Sequence, residues 1–309
     1  MDLELPTAVK GFVNDVRAAV ADLDSASPAE LWAAANEQGW LSRPSLWTGT
    51  LFEALILARI LGEYGIEARP LIDQVAWRWA TESAVPQGTE VNYVGTFRMP
   101  LPDDQVYAGA GFVHVPYPSE GVLSTSSVSS DGASPSLGEW ERRSDARVAS
   151  RLYWLHRLLI CSHANAAARV AIEIATEYSK ERRQFGQAIG TFQGVQHTLV
   201  QAFSAVTSLD LLIERATQLL AENGPDSIGA RGLLEIVVIR SQRVAWDAAI
   251  ASHDVLGGAG FMRSHPLTSY SELLLRAHAI LGERHSNWEA SVDTIVAMDW
   301  LSTEGLAQA

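Results

Sequence analysis

The run Tyr178-Ser179-Lys180-Glu181-Arg182-Arg183-Gln184-Phe185-Gly186 leads through Gln187-Ala188-Ile189-Gly190-Thr191 to Phe192-Gln193. Arg182 stands at the end of a long helical pattern, Phe185 follows about one turn on, and Gln193 lies beyond a glycine-marked break. A guanidinium, an aromatic ring and an amide so placed can hold a pyrophosphate, cover an apolar ring face and hydrogen-bond an adenine or a ribose. Read alone, Arg182-Arg183 is a solvated basic helix end, because cations near a helix C-terminus are favoured there. The spaced Phe-Gly and Phe-Gln pairs tip the reading towards binding. Further on stands His253-Asp254-Val255-Leu256-Gly257-Gly258-Ala259-Gly260-Phe261, with Pro266 after it. Gly257-Gly258 permits close backbone approach to a ligand, although such a pair alone is a simple helix C-cap. Two residues could move a proton: His156, followed by Arg157, and Glu289 within Trp288-Glu289-Ala290-Ser291. By default the histidine is a half-buried packing or surface residue, and the glutamate is a helix-start carboxylate favoured by the dipole.

The elements that must position these groups are legible from punctuation and period. Half of the twelve prolines lie between Pro86 and Pro135, whereas the stretch from Ser136 to the end holds only Pro225 and Pro266. Helix is therefore excluded from the middle of the chain. Before it, Ser27-Pro28-Ala29-Glu30 reads as a capping box whose short helix closes at Gly39, and further helices are expected at about 51–61 and 71–80. From Val91 to Leu123 short alternating runs such as Val91-Asn92-Tyr93-Val94 and Gly111-Phe112-Val113-His114-Val115 look like strands. The Ser/Gly-rich stretch Gly121 to Gly138 reads as a loop or partly disordered linker. Residues 150–184, 192–222, 227–256 and 267–281 then carry sustained apolar residues at helical spacing, broken at Gly186–Gly190, Gly224-Pro225 and Gly257-Gly258. Long helices with short connections make an antiparallel four-helix bundle. The expected fold is mainly α: an N-terminal helical domain at 1–85, a reduced β domain and linker at 86–140, and a C-terminal helical bundle at 141–309.

Composition excludes several classes of function. With 309 residues, 47% apolar and 19% charged, the chain has the balance of a folded protein with a large interior. A net charge of −13 argues against nucleic acid, which demands a basic face. The single cysteine, Cys161, can form no internal disulfide, and no Cys/His spacing suggests a metal site. The acidic start Met1-Asp2-Leu3-Glu4-Leu5-Pro6 lacks the basic and apolar regions of an export signal, and no uninterrupted apolar run reaches the roughly 20 residues of a spanning helix. A cytoplasmic protein with no membrane partner is the expectation.

The two glycine-bearing motifs resemble those of the acyl-CoA dehydrogenase family: Tyr, then Arg-x-x-Phe-Gly, x-x-Ile and Phe-Gln, followed further on by Gly-Gly-x-Gly-[Tyr/Phe] and Pro. The resemblance covers residues 150–266 well, residues 28–80 loosely and the middle hardly at all. It implies an FAD-dependent enzyme that desaturates a CoA thioester. It further implies that Arg182, Phe185 and Gln193 touch the FAD bound by a neighbouring subunit, with Gly257 and Gly258 packing on the ADP end of that cofactor. Asp254 stands where the family has Gln, which weakens the adenosine side.

Family members abstract an α-proton with a glutamate while the β-carbon delivers hydride to flavin, so a positioned carboxylate is needed. One home of that glutamate is a Glu-Gly-Thr loop after the matched proline; here the span ends in Ile280-Leu281-Gly282, and Glu289 comes late. The other home lies on the first bundle helix beside an Arg, and counting back from Arg182 lands on His156, with Arg157 next. The middle also lacks the family's Thr-Glu-Pro-x-x-Gly-Ser-Asp and Trp-[Ile/Leu]-[Thr/Ser] stretches, which wall the flavin ring. The chain thus resembles the short subunits, lacking the catalytic Glu, of heteromeric acyl-CoA dehydrogenases in actinobacterial steroid degradation. That implies a heterotetramer with a complete acyl-CoA dehydrogenase subunit, an acyl-CoA substrate with room for a ring system, and electron-transfer flavoprotein as acceptor. Two other readings stay open: a self-sufficient homo-oligomeric flavoenzyme with an unusual base, and a flavin-free helical interaction protein.

Overall fold

The structure, a computed structural model, describes residues 7–21, 30, 34–35, 37, 51–68, 71–73, 75–76, 90–94, 110–114, 122–129, 136–137, 141–144, 146–224 and 227–281. The capping residue Ser27, Gly39, the expected helix beyond Ala76, Val115 and Glu289 lie outside these residues. Helices α1 (Thr7–Ala21) and α2 (Leu51–Glu63) come first, with a further helical turn at 71–76. Five strands follow: β1 (Glu90–Val94), β2 (Ala110–His114), β3 (Val122–Ser129), β4 (Ser136–Leu137) and β5 (Glu141–Ser144). The bundle is α3 (Ala146–Glu181), α4 (Gln193–Asn223), α5 (Ile228–Leu256) and α6 (Leu267–Ile280). A two-residue ladder, β6 (Arg183–Gln184) with β7 (Gln187–Ala188), joins α3 to α4.

β1 and β2 run parallel, β3 is antiparallel to β2, and both β4 and β5 pair back onto β3. The strand β3 corrects the expectation of a loop at 121–138. Its sequence, VLSTSSVS, offers little to bury. Partners distant in sequence satisfy its backbone, with Gly111–His114 on one edge and Glu141–Ser144 on the other. Strand formation depends on such neighbours more than on intrinsic preference, and local composition does not reveal them.

α3 is the spine, packing against α2, α4, α5 and α6. Every residue from Leu152 to Ala168 is buried, so the helix is covered on all sides, as expected of a central core element. The stretch 150–181 is long and apolar enough to cross a membrane, but 78% of its most apolar window is buried inside the fold, which marks it as a core helix. Small residues set the approach distances. A Cβ built on Gly62 of α2 would lie 2.1 Å from the His163 carbonyl oxygen, so only glycine lets α2 cross α3 there. His163 Nε2 donates to the Ile66 carbonyl at 2.9 Å and Ser162 Oγ to the Leu55 carbonyl at 3.3 Å, which ties the two helices polar to polar. Burial holds the His163 pKa below its ordinary value of 6.5, partly offset by Glu67 and the carbonyl, so the ring sits neutral in the core.

α4 buries one stripe, Leu199, Ala202, Val206, Leu209, Ile213, Ala216 and Leu220, at spacings of three and four, and leaves Val200, Phe203 and Leu211 exposed. Asp210 on α4 accepts from Asn165 Nδ2 at 2.7 Å and from Arg169, both on α3. α4 closes on Gly224 at φ 75°, and α5 closes on Gly257 at φ 56°. Both lie in the left-handed region that glycine occupies without strain.

Candidate functional site

Antiparallel order brings the two sequence motifs to one end of the bundle. The C-terminus of α3, the N-terminus of α4 and the C-terminus of α5 all lie there, although 59 residues of chain (194 to 252) separate the motifs. The connection between α3 and α4 is held from both sides. Arg182 N donates to the Tyr178 carbonyl and Ile189 N to the Arg182 carbonyl, at 2.9 and 2.8 Å. Gln196 Nε2 reaches back from α4 to the Gly190 carbonyl at 2.9 Å. Gly190 itself sits so close to α3 that a Cβ would lie 2.8 Å from Ser179 Oγ and 3.0 Å from its carbonyl oxygen.

What this frame presents is solvent-facing. Phe185 is 92% exposed, at the tip of the ladder, and its backbone takes φ 52° with Gly186 beside it at 83°. A bulky residue in that region carries strain, on the order of 1–2 kcal/mol. The Phe185 ring meets Phe192 edge-on with centroids 6.2 Å apart. Arg182, Arg183 and Gln193 are exposed, and among the described residues neither arginine pairs with a carboxylate. Around Gly257 and Gly258, Cβ positions would meet nothing within 4 Å. This end therefore offers free guanidinium donors, an aromatic face, an amide and an open glycine turn. Such a set suits phosphates and an adenosine.

The sequence reading missed one aromatic pair here. Phe261 is 74% exposed and lies flat on the ring of His253, with centroids 4.6 Å apart and planes 26° apart. His253 Nε2 is 2.8 Å from Ser271 Oγ of α6. Burial lowers the His253 pKa, with Asp254 opposing and His265 adding to the shift. Helical spacing could have found the pair, since His253 on the last turn of α5 faces the loop that follows it.

His156 is in a different setting. It is 0% exposed, and its Nε2 donates to Asp73 Oδ1 at 2.8 Å, 83 residues earlier in the chain. The expected half-buried or surface histidine is thus a fully sealed, hydrogen-bonded one, because the helical segment that carries Asp73 packs on α3 and brings a carboxylate to it. Asp73 was detectable as one carboxylate among Leu71, Ile72, Val75 and Ala76. Beside it Arg157, also buried, donates to the Leu281 carbonyl at the end of α6 and lies over the Tyr153 ring, 4.4 Å from its centroid. Burial pushes the Tyr153 hydroxyl up to about 12 despite the Arg157 charge, and the Cys161 thiol up to about 12 as well. None of these groups meets solvent. No three His, Cys, Asp or Glu side chains come together as a metal set among the described residues.

Comparison with known proteins agrees with this geometry. Residues 146–281 match the family described as acyl-CoA dehydrogenase, C-terminal domain. Acyl-CoA dehydrogenase FadE34 of Mycobacterium tuberculosis is 33% identical over 128 residues, a match that takes in 40% of this chain and only 17% of that relative. The ChsE4-ChsE5 complex from M. tuberculosis superposes with a TM-score of 0.73 at 17% identity, covering 96% of this chain and 99% of that one. A variant of the Tcur3481-Tcur3483 steroid ACAD gives a TM-score of 0.73 at 15% identity, covering 94% and 98%. At such identities the superpositions establish the fold: mainly helical and acyl-CoA dehydrogenase-like. FAD is the cofactor of the family.

Proposed function

We propose that this chain is the non-catalytic subunit of a heteromeric, FAD-dependent acyl-CoA dehydrogenase, lending contacts to a flavin held mainly by a complete partner subunit. One contrast carries the reading. The groups suited to the ADP half of FAD face outward and unpaired, whereas the position where a base would stand is closed by Asp73. Arg182 would meet the pyrophosphate, Phe185 would cover an apolar ring face, Gln193 would bond the adenine or ribose, and Gly257 and Gly258 would let the backbone approach the adenosine. FAD, when bound, supplies the hydride acceptor for α,β-desaturation of a thioester. This chain's residues orient its phosphate end and exclude water from it.

The partner provides the base and the walls of the acyl site. The substrate is a CoA thioester, and the resemblance to steroid-degrading heteromers together with the superposition on the Tcur3481-Tcur3483 steroid ACAD supports a steroid-derived acyl group. Electron-transfer flavoprotein is the acceptor, and the assembly works in the cytoplasm as a heterotetramer. The exposed Val200, Phe203 and Leu211 on α4 support burial of the bundle against another subunit.

The test is purification of the chain alone and after co-expression with a complete acyl-CoA dehydrogenase subunit. Yellow colour only in the co-expressed assembly is the expected result. A chain that is yellow and turns over a CoA thioester by itself would replace this reading with the self-sufficient enzyme. A colourless monomer under both conditions would leave the flavin-free helical protein.

A further inference from the structure

Between the turn after α2 and the start of α6 lies a cleft of about 830 Å³, within the roughly 300–1,000 Å³ usual for sites that take a small molecule. Tyr64–Glu67 form one wall, and side chains from 263–276 form the other. Both walls are held by bonds of their own. Gly65, at φ 67°, lies so close to Tyr270 that a Cβ would be 3.0 Å from its ring. The Tyr270 hydroxyl donates to the Glu63 carbonyl at 2.9 Å, and the core ring of His163 donates to the Ile66 carbonyl. Across the cleft, Thr268 Oγ1 donates to the Met262 carbonyl and Ser269 Oγ to the Pro266 carbonyl, at 3.0 and 2.9 Å. Leu267 N donates to His265 Nδ1 at 3.2 Å. The cleft is therefore shaped before any ligand arrives.

The groups left unanswered in it can all donate. Both carboxylates are met by Arg276, Glu67 at 3.0 Å and Glu272 at 4.0 Å. Arg263 is exposed and, among the described residues, pairs with no carboxylate. Because His265 Nδ1 accepts, its Nε2 carries the proton of the neutral ring and is left to donate. Tyr64 is exposed, and its hydroxyl has no hydrogen-bond partner among the described residues. A guanidinium, an imidazole N–H and a phenol around one cleft suit a negatively charged ligand rich in acceptor oxygens. A carboxylate is planar and presents two oxygens, whereas these donors stand on both walls, which a tetrahedral phosphate can face at once. We infer that this cleft binds a small organic phosphate, with Arg263 and His265 on the phosphoryl oxygens and the Tyr64 ring against the carbon skeleton. None of these residues belongs to the Arg-Phe-Gln set or the glycine pair, so the inference stands whether or not the chain lends contacts to a flavin.

The experiment titrates the full chain with phenyl phosphate, which carries one phosphoryl group and one ring, and reads binding by calorimetry. Saturable binding of one probe per chain, in the millimolar range or tighter, is the expected result. Arg263→Ala should weaken it about 10-fold or more, the loss of a charge-assisted contact, with thermal unfolding unchanged because the side chain is exposed. Arg263→Lys should fall between, since it keeps the charge and loses the planar fork. Tyr64→Ala should weaken phenyl phosphate about 3- to 10-fold and leave inorganic phosphate where it was. Arg182→Ala should leave the probe's affinity unchanged. Absence of saturable binding would overturn the proposal, and so would a loss in Arg182→Ala as large as in Arg263→Ala, which would seat the probe on the flavin edge. Benzoate bound as tightly as phenyl phosphate would overturn the phosphate assignment, and inorganic phosphate bound as tightly would overturn the organic one. Flavin retention by the co-expressed assembly should survive Arg263→Ala, so this inference and the flavin-lending role fail separately.

Discussion

Two regions of one bundle treat their polar groups in opposite ways. At the open end, Arg182, Phe185, Gln193 and Phe261 stand out from the fold, and Phe185 does so in a strained backbone conformation. Two to three turns from the middle of α3, His156 and Arg157 are sealed, each with a partner supplied by another element, and the Tyr153 ring is sealed beneath Arg157. A fold gains nothing for itself from exposing aromatic rings, whereas buried polar groups are tolerated when they are hydrogen-bonded. On the proposed function the first region serves a flavin outside the chain, and the second serves the chain's own packing.

The sharpest way to break this comparison is at His156. Removing one member of a buried hydrogen-bonded pair takes a partner from the other, so His156→Ala should cost about 1–3 kcal/mol of stability, read by denaturant unfolding. The double variant Asp73→Leu with His156→Leu should recover most of that loss, because replacing both partners by apolar groups removes the polar atoms that need one another. In an assembled enzyme that still holds its flavin, His156→Ala should turn over nearly as before. A loss of about a hundredfold or more with flavin retained would place a general base there and dissolve the contrast.

Arg182→Ala tests the other side. Each charge-assisted hydrogen bond to a phosphate is worth about 1.5–3 kcal/mol, so FAD retention by the assembly should fall about ten- to hundredfold or more, with unfolding of the isolated chain little changed. Absorbance of bound flavin after gel filtration reads the first, and thermal unfolding the second. If both change together, Arg182 is structural.

At Phe185 stability and flavin retention should respond with opposite signs. Phe185→Asn places a residue that tolerates the left-handed region at φ 52°, and the ring it removes is almost wholly exposed. Stability of the isolated chain should rise by up to about 1 kcal/mol while flavin retention falls. A variant that loses stability would mean that the ring is holding the ladder together.

The smallest effect concerns pH and belongs to the sealed region. His163 is neutral in the fold because burial depresses its pKa, so the unfolded chain takes up its proton first as pH falls. Its contribution is present above the ordinary value of 6.5 and is lost as pH drops below that towards the lower folded-state value. Unfolding midpoints measured between pH 7.5 and 5 should therefore decline, and the decline should be shallower in His163→Gln, whose amide can still donate to the Ile66 carbonyl. Equal slopes would show that other groups carry the acid sensitivity.

Local patterns in the sequence determined what depends on neighbours along the chain. Apolar spacing marked the four bundle helices, glycines marked their ends at Gly224 and Gly257, and the Arg-Phe-Gln spacing marked residues that the fold leaves exposed. Each follows from backbone geometry over a few residues. Only the tertiary structure decided what depends on residues far apart. Strand β3 exists because β2 and β5 satisfy its edges, while its own serines suggest a linker. His156 is sealed because Asp73, 83 residues away, reaches it from another element, and the stacking of Phe261 on His253 requires the turn after α5 to fold back on its own helix. Hydrogen bonds and ring contacts fall off within a few ångströms, so they are set by which surfaces meet, and a one-dimensional pattern encodes that meeting only through the whole packed core.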